Sequence, residues 1–214
     1  MQLYTYFRSS ASYRVRIALN LKGLEVRHVP VSLIKGEQRT ETYHHLNPQD
    51  LVPSLVLDGG QVLTQSLAIM EYLDETHPNP PLLPKEALCR ARVRALSQAV
   101  ICEISPLNNL RVIHFLTGEM GLSDDQKLQW YHHWIATGFT ALEAMLQAEE
   151  TGEFCHGDIP TMADCCLVPQ VYNAERFDCD LTPYPTIRRI HEACNALPAF
   201  ASAHPARQPD APSA

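Results

Sequence analysis

The stretch QLYTYFRSSASYRVRIALNLKG, residues 2–23, holds a strand, a hydroxyl-rich turn and a helix in immediate succession. Gln2–Phe7 reads as a short apolar-rich strand, and Ser12–Lys22 as a helix with Val15, Ile17, Ala18, Leu19 and Leu21 as its apolar residues. Gly23 stands where a helix would end. The turn from Arg8 to Ala11 lies at the C-terminal edge of a strand, the usual location of ligands in α/β sheets.

Downstream, Glu25–Val31 reads as a second strand, and a polar, loosely helical stretch follows to Leu46. Ser54–Leu57 and Gln61–Thr64 flank Asp58-Gly59-Gly60 and form a hairpin on a glycine turn. A helix from Ser66 to about Glu75 closes the unit with Leu67, Ile69, Met70 and Leu73. This order of strands and helices is that of a thioredoxin-like α/β unit, its first two strands parallel and its last two antiparallel. It carries no Cys-x-x-Cys, which suggests that a reactive sulfur arrives with a ligand.

HPNPPLLP, residues 77–84, contains four prolines and marks a domain boundary. Beyond it the patterns are helical, over Lys85–Leu116, Asp124–Ala148, Thr161–Ala174 and Tyr184–Ala196. The expected organisation is a thioredoxin-like domain over residues 1–80, an all-helical domain over 85–204 and a flexible tail over 205–214.

The 214 residues are 45% hydrophobic and 19% charged, ordinary values for a packed chain. A net charge of −7 argues against nucleic acid as a partner, because phosphate binding needs a basic face. The excess acid lies almost wholly after residue 80, where ten Lys and Arg stand against sixteen Asp and Glu. An arginine facing a cleft in that part works against its surroundings. MQLYTYFRSS lacks the basic start and apolar run of a signal peptide, and nowhere do roughly 18 apolar residues run together. A cytoplasmic chain with no membrane partner is expected. The seven cysteines are odd in number and lack Cys-x-x-Cys spacing, so buried or idle thiols are expected in place of disulfides or a zinc cage. His44-His45 and His132-His133 also lack a metalloprotease pattern, and no metal is expected.

NPQDLVP, residues 47–53, precedes the third strand, and Pro53 stands where such a fold turns sharply. A cis Val52–Pro53 bond is expected, presenting the Val52 N–H and C=O to a bound peptide as a short strand addition. Gln65-Ser66 lies at the hairpin exit and a helix start, where a serine caps the helix or the exposed N–H groups take an anion. Ser9, Ser10 and Ser12 read equally as caps of the first helix or, with Arg8, as a hydroxyl-rich, positively biased spot for a thiolate. Asn108 and Arg111 in SPLNNLR, residues 105–111, are three apart and share a face of the expected helix. Thr161-Met162-Ala163-Asp164 is a capping-box start, and Asp164 is assigned to folding.

RSSASYRVRIAL, residues 8–19, closely resembles the active-site signature of zeta-class glutathione transferases, the maleylacetoacetate isomerases. NPQDLVP, VLTQSLAIMEYL and ERFDCDLTPYPTI resemble the same family at matching places, so the resemblance spans nearly the whole chain. It implies a glutathione-transferase fold with an all-helical second domain, a homodimer, and glutathione as cofactor. It carries Ser9, with Arg8 and Ser10 beside it, to the position that stabilises the glutathione thiolate. It carries Gln49, Val52, Pro53, Gln65 and Ser66 to the glutathione-holding positions, and Arg176 to the arginine that holds a substrate carboxylate. Asn108, Arg111 and Arg8 are expected to join Arg176 in receiving a dianionic substrate, although Arg111 taken by itself also reads as a surface charge.

Two departures stand out: the family's usual cysteine is replaced by Ala11, and Ser105 stands where bacterial relatives commonly carry His or Gln. The implied reaction is cis–trans isomerisation of a small maleyl diacid, maleylacetoacetate or maleylpyruvate, whose attacking sulfur belongs to glutathione. A general transferase conjugating electrophiles would use the same Ser9 without needing substrate-side arginines. A non-catalytic binding module of this fold would not need Ser9 or Gln65-Ser66.

Overall fold

The computed structural model describes residues 1–212. The chain divides into two compact units, one of Met1–Leu82 together with the chain from Asn195 onward, the other of Leu83–Cys194. In the first unit β1 (Gln2–Thr5), α1 (Ser10–Leu21), β2 (Arg27–Pro30), α2 (Glu41–Leu46), β3 (Ser54–Val56), β4 (Val62–Thr64) and α3 (Ser66–Thr76) follow in chain order. The sheet runs β2-β1-β3-β4, with β1 and β2 parallel and the other pairs antiparallel, as the sequence reading expects of a thioredoxin-like unit. Successive strand residues point to opposite faces. Leu3 accordingly packs with Val15 and Leu19 of α1, Leu55 of β3, and Ile69 and Leu73 of α3. Tyr4 and Tyr6 face the other way, into a cluster with Val31, Tyr43 and Val52. Two layers thus grip β1, and the turn after it starts from a fixed base.

The second unit is helical: α4 (Ala87–Glu103), α5 (Leu110–His114), α6 (Asp124–Met145) and α7 (Met162–Arg176). Val93, Leu96 and Val100 of α4 and Tyr131, Ile135, Phe139 and Leu142 of α6 supply its core. Helix α7 is buried along nearly its whole length, the mark of a central helix. The continuous helix expected over Lys85–Leu116 is corrected: α4 stops at Glu103, a turn follows, and α5 leads into a π-helical turn at Phe115–Glu119. Pro106 is the cause, since it has no N–H to donate and bars the residue before it from helical geometry. A side chain at Gly138 would clash with Ile104, so α6 packs backbone-close against the turn that ends α4.

After α8 (Pro185–Ala196) comes a helix that the sequence reading passed over, α9 (Pro198–Ala203), which packs on α1. The stretch expected to be a flexible tail from residue 205 is ordered over its described part. Pro205–Arg207 form a 3-10 turn, Pro205 and Gln208 are buried, and the Gln208 amide donates to the carbonyls of Ser202 and His204. Residues 213 and 214 of that expected tail lie outside the described residues. Among the described residues no helix is long and apolar enough to cross a membrane, and no cluster of His, Cys, Asp or Glu could hold a metal ion. Among the described residues no disulfide joins any of the seven cysteines.

Candidate active site

The turn between β1 and α1 places Ser9 at the N-cap of a helix of 12 residues. Its hydroxyl oxygen accepts the Ser12 N–H at 3.2 Å, so the capping reading of the sequence is realised. An acceptor role for the oxygen leaves the hydroxyl proton to donate, at a point where the helix dipole favours negative charge. Arg8 leans on the aromatic residues before it: its guanidinium lies 5.1 Å from the centre of the Phe7 ring and donates to the Tyr6 hydroxyl at 3.2 Å. Ser10 and Ala11 begin the helix itself.

The Val52–Pro53 peptide is cis, as expected, and among the described residues neither the N–H nor the C=O of Val52 has a hydrogen-bond partner. The loop leading to it is tied down from inside. Buried Asn47 donates to Leu51 O at 2.7 Å and Ser54 Oγ at 3.3 Å, while its own carbonyl accepts the Gln49 N–H at 3.1 Å. The Tyr43 hydroxyl donates to Leu51 O at 2.7 Å, and burial pushes its pKa up from the ordinary phenol value. Gln65 takes φ = +66°, a left-handed conformation costly for a residue with a side chain, and such strain is retained where a site requires it. Its amide donates to Gln49 Oε1 at 2.7 Å, which joins two of the residues assigned to one ligand.

The capping reading of Ser66 is corrected. Gln65 occupies the N-cap of α3, and Ser66 is the first helical residue, its hydroxyl accepting from Arg14 at 3.2 Å. The sequence reading passed over Arg14, which is 4% exposed. Two arginines, Arg14 and Arg16, buried in the apolar helix stretch RVRIAL are the signal that could have found it.

In the second unit, the shared helical face expected for Asn108 and Arg111 does not form. Asn108 lies in the turn before α5, Asn109 caps that helix by accepting the Arg111 N–H at 3.0 Å, and Arg111 is exposed on its first turn. Asn108 is only 9% exposed, and both polar atoms of its side chain are buried without a partner among the described residues. Arg176 ends α7, exposed, 4.8 Å from the Phe177 ring centre and 3.5 Å from Asn173 Oδ1. Among the described residues no carboxylate pairs with Arg8, Arg111 or Arg176.

Three residues that no motif picks out brace these positions from α6. Trp130 Nε1 donates to Leu107 O at 2.9 Å, Tyr131 stacks on Phe177 with ring centres 3.9 Å apart, and His132 Nε2 lies 2.6 Å from Phe177 O. Asp164 proves structural, as expected. One oxygen accepts from the Thr161 N–H at 2.7 Å and hydroxyl at 2.8 Å, the other from the Cys155 N–H at 2.8 Å, and full burial raises its pKa.

The fold and the capped serine turn define a glutathione transferase, and the family model for the glutathione S-transferase N-terminal domain matches residues 3–81. The chain is 52% identical over 211 residues to a probable maleylacetoacetate isomerase of Vibrio cholerae, covering 98% of this chain and 97% of that protein. Among solved structures it matches a holo maleyl pyruvate isomerase, described as a bacterial zeta-class glutathione-S-transferase, with a TM-score of 0.97 and 48% identity over 99% of this chain and 100% of that one. A maleylacetoacetate isomerase of Methylobacterium extorquens with bound malonate and GSH matches with a TM-score of 0.96 and 43% identity over the full length of both chains. The chain belongs to the zeta-class glutathione transferases, the family of the maleylacetoacetate and maleylpyruvate isomerases.

Proposed function

We propose that this chain is a glutathione-dependent cis–trans isomerase that converts a maleyl diacid, maleylacetoacetate or maleylpyruvate, to its fumaryl form. The observation that carries the reading is the Ser9 hydroxyl, whose oxygen accepts from Ser12 at a helix mouth and whose proton is left to donate to a sulfur anion.

The residues fit glutathione. The unpartnered N–H and C=O of Val52 suit a short antiparallel addition of a peptide backbone, with Pro53 fixing the corner. The first turn of α3, at Gln65 and Ser66, suits a γ-glutamyl carboxylate, and Gln49 reaches the same spot through its bond to Gln65. When bound, glutathione supplies a thiolate that adds to the alkene, leaves a single bond free to rotate, and departs to restore the double bond in trans form. Ser9 donates its hydroxyl proton as a hydrogen bond to that sulfur, Arg8 and the N-terminus of α1 add positive potential, and Ser10 lies on the same turn. A thiol pKa near 8.5 lowered by about two units is worth about 2.7 kcal/mol and makes most of the sulfur anionic at neutral pH.

Arg8, Arg111 and Arg176 take the two carboxylates and the charge that develops on the substrate, because a planar guanidinium binds a carboxylate with two parallel hydrogen bonds. Asn108 supplies a neutral donor and acceptor. Malonate, a short dicarboxylate bound with GSH in the Methylobacterium extorquens relative, supports a dianion site. Ala11 removes no group this reaction needs, since the chain contributes no sulfur of its own.

The test is the purified chain with glutathione and either diacid. Conversion to the trans acid with no net consumption of glutathione is expected, whereas a stable conjugate without isomerisation would make the chain a general transferase. The chain acts as a homodimer in the cytoplasm. Light scattering that finds only the 24.0 kDa monomer at micromolar concentration would contradict the dimer.

A further inference from the structure

The turn that carries Ser9 is held from behind by residues near the end of the chain. The peptide between Tyr6 and Phe7 is gripped at both edges. Its oxygen accepts from the Ser9 N–H at 3.0 Å and from Arg16 Nη1 at 3.4 Å, and its N–H donates to Asp210 Oδ2 at 2.8 Å. The next carbonyl, Phe7 O, accepts from Arg16 Nη2 at 3.0 Å. The same guanidinium, 2% exposed, reaches Ala203 O in α9 at 3.1 Å and Thr5 Oγ1 at the end of β1 at 3.2 Å. A peptide plane held by a cation on one edge and a carboxylate on the other cannot turn without breaking a charge-assisted hydrogen bond, and Arg8 and Ser9 follow it directly in the chain.

Asp210 is costly where it stands. Its Oδ1 is buried with no hydrogen-bond partner among the described residues, and an unsatisfied buried carboxylate oxygen destabilises the fold. Its other oxygen, Oδ2, is the one that holds the Phe7 N–H.

We propose that Asp210, acting with Arg16, is a positioning residue for the turn Tyr6–Ser9, so that the C-terminal segment belongs to the thiolate-stabilising apparatus. This rests on the role given to Ser9 in the proposed reaction. The test compares Asp210→Ala, Asp210→Asn and a chain ended after Gln208 with the wild type, by amide hydrogen exchange in the ligand-free protein, glutathione affinity, the ultraviolet thiolate absorbance of bound glutathione, and diacid turnover. For Asp210→Ala and the shortened chain, exchange at Phe7 to Ser9 quickens, and turnover falls roughly tenfold with a parallel fall in thiolate signal, while glutathione affinity moves less than about twofold. Asp210→Asn keeps a carbonyl oxygen for the Phe7 N–H and stays within about threefold of wild-type turnover. The proposal is overturned if folded Asp210→Ala matches wild type in both thiolate signal and turnover whatever its exchange, or if Asp210→Asn is as damaged as Asp210→Ala. A wild type that isomerises no diacid would overturn the reaction instead, because exchange and thiolate absorbance need no diacid.

Discussion

The loop Asn47–Pro53 and the turn Ser105–Arg111 both carry residues assigned to a ligand, yet their asparagines are placed in opposite ways. Asn47 uses both ends of its amide within the protein, to Leu51, Ser54 and Gln49, and Tyr43 doubles the hold on Leu51. Asn108 is almost as buried and uses neither end within the described residues, and the nearby Arg111 faces no carboxylate among them. A polar group stripped of water and given no partner costs stability, so its retention points to a ligand. The loop proposed to take the peptide is therefore shaped by its own network, whereas the groups proposed to take the diacid would be completed by substrate.

The largest effect is expected at Arg176. Arg176→Ala should lower turnover of maleylacetoacetate or maleylpyruvate roughly ten- to a hundredfold with glutathione affinity nearly intact, since a charged hydrogen bond is worth about 1.5–3 kcal/mol. Arg176→Lys should recover only part, because the two-pronged geometry is lost. Steady-state kinetics with calorimetry of glutathione binding checks it, and a parallel fall in both quantities would make Arg176 structural.

Next is Ser9. Ser9→Ala should slow turnover by about tenfold, well beyond any weakening of glutathione binding, and should also cost about 1 kcal/mol of stability through the lost cap. Thermal unfolding read beside the kinetics separates the two roles. Unchanged turnover with uniformly weakened binding would return Ser9 to the status of a simple cap.

The two asparagines test the comparison itself. Asn47→Ala should destabilise the protein by about 2 kcal/mol and weaken glutathione binding, because Leu51, Ser54 and the Gln49 N–H each lose a partner. Asn108→Ala is the smallest in stability and opposite in kind. Turnover should fall severalfold, yet the melting temperature should hold or rise, since about 1 kcal/mol of unpaired polar burial is removed. Should Asn108→Ala melt lower than Asn47→Ala, the contrast between the two regions is wrong.

Much of this was legible in the chain itself. The strand–helix order of the first unit shows in the spacing of Leu3, Val15, Leu19, Leu55, Ile69 and Leu73, because period and pleat are local properties. The capped serine at Ser9, the corner at Pro53 and the capping box at Asp164 are likewise set within a few residues of themselves. Tertiary structure alone decided the rest. It took Asn108 off the helical face and left it without a partner among the described residues, put Arg14 on Ser66, and laid Trp130 against Leu107 O. It also tied an expected loose tail to the turn that carries Ser9, through a hydrogen bond between residues 203 positions apart. Contacts at that separation leave no periodicity or cap to read, because which distant groups meet depends on how whole elements pack, and that is settled by the summed burial of the core.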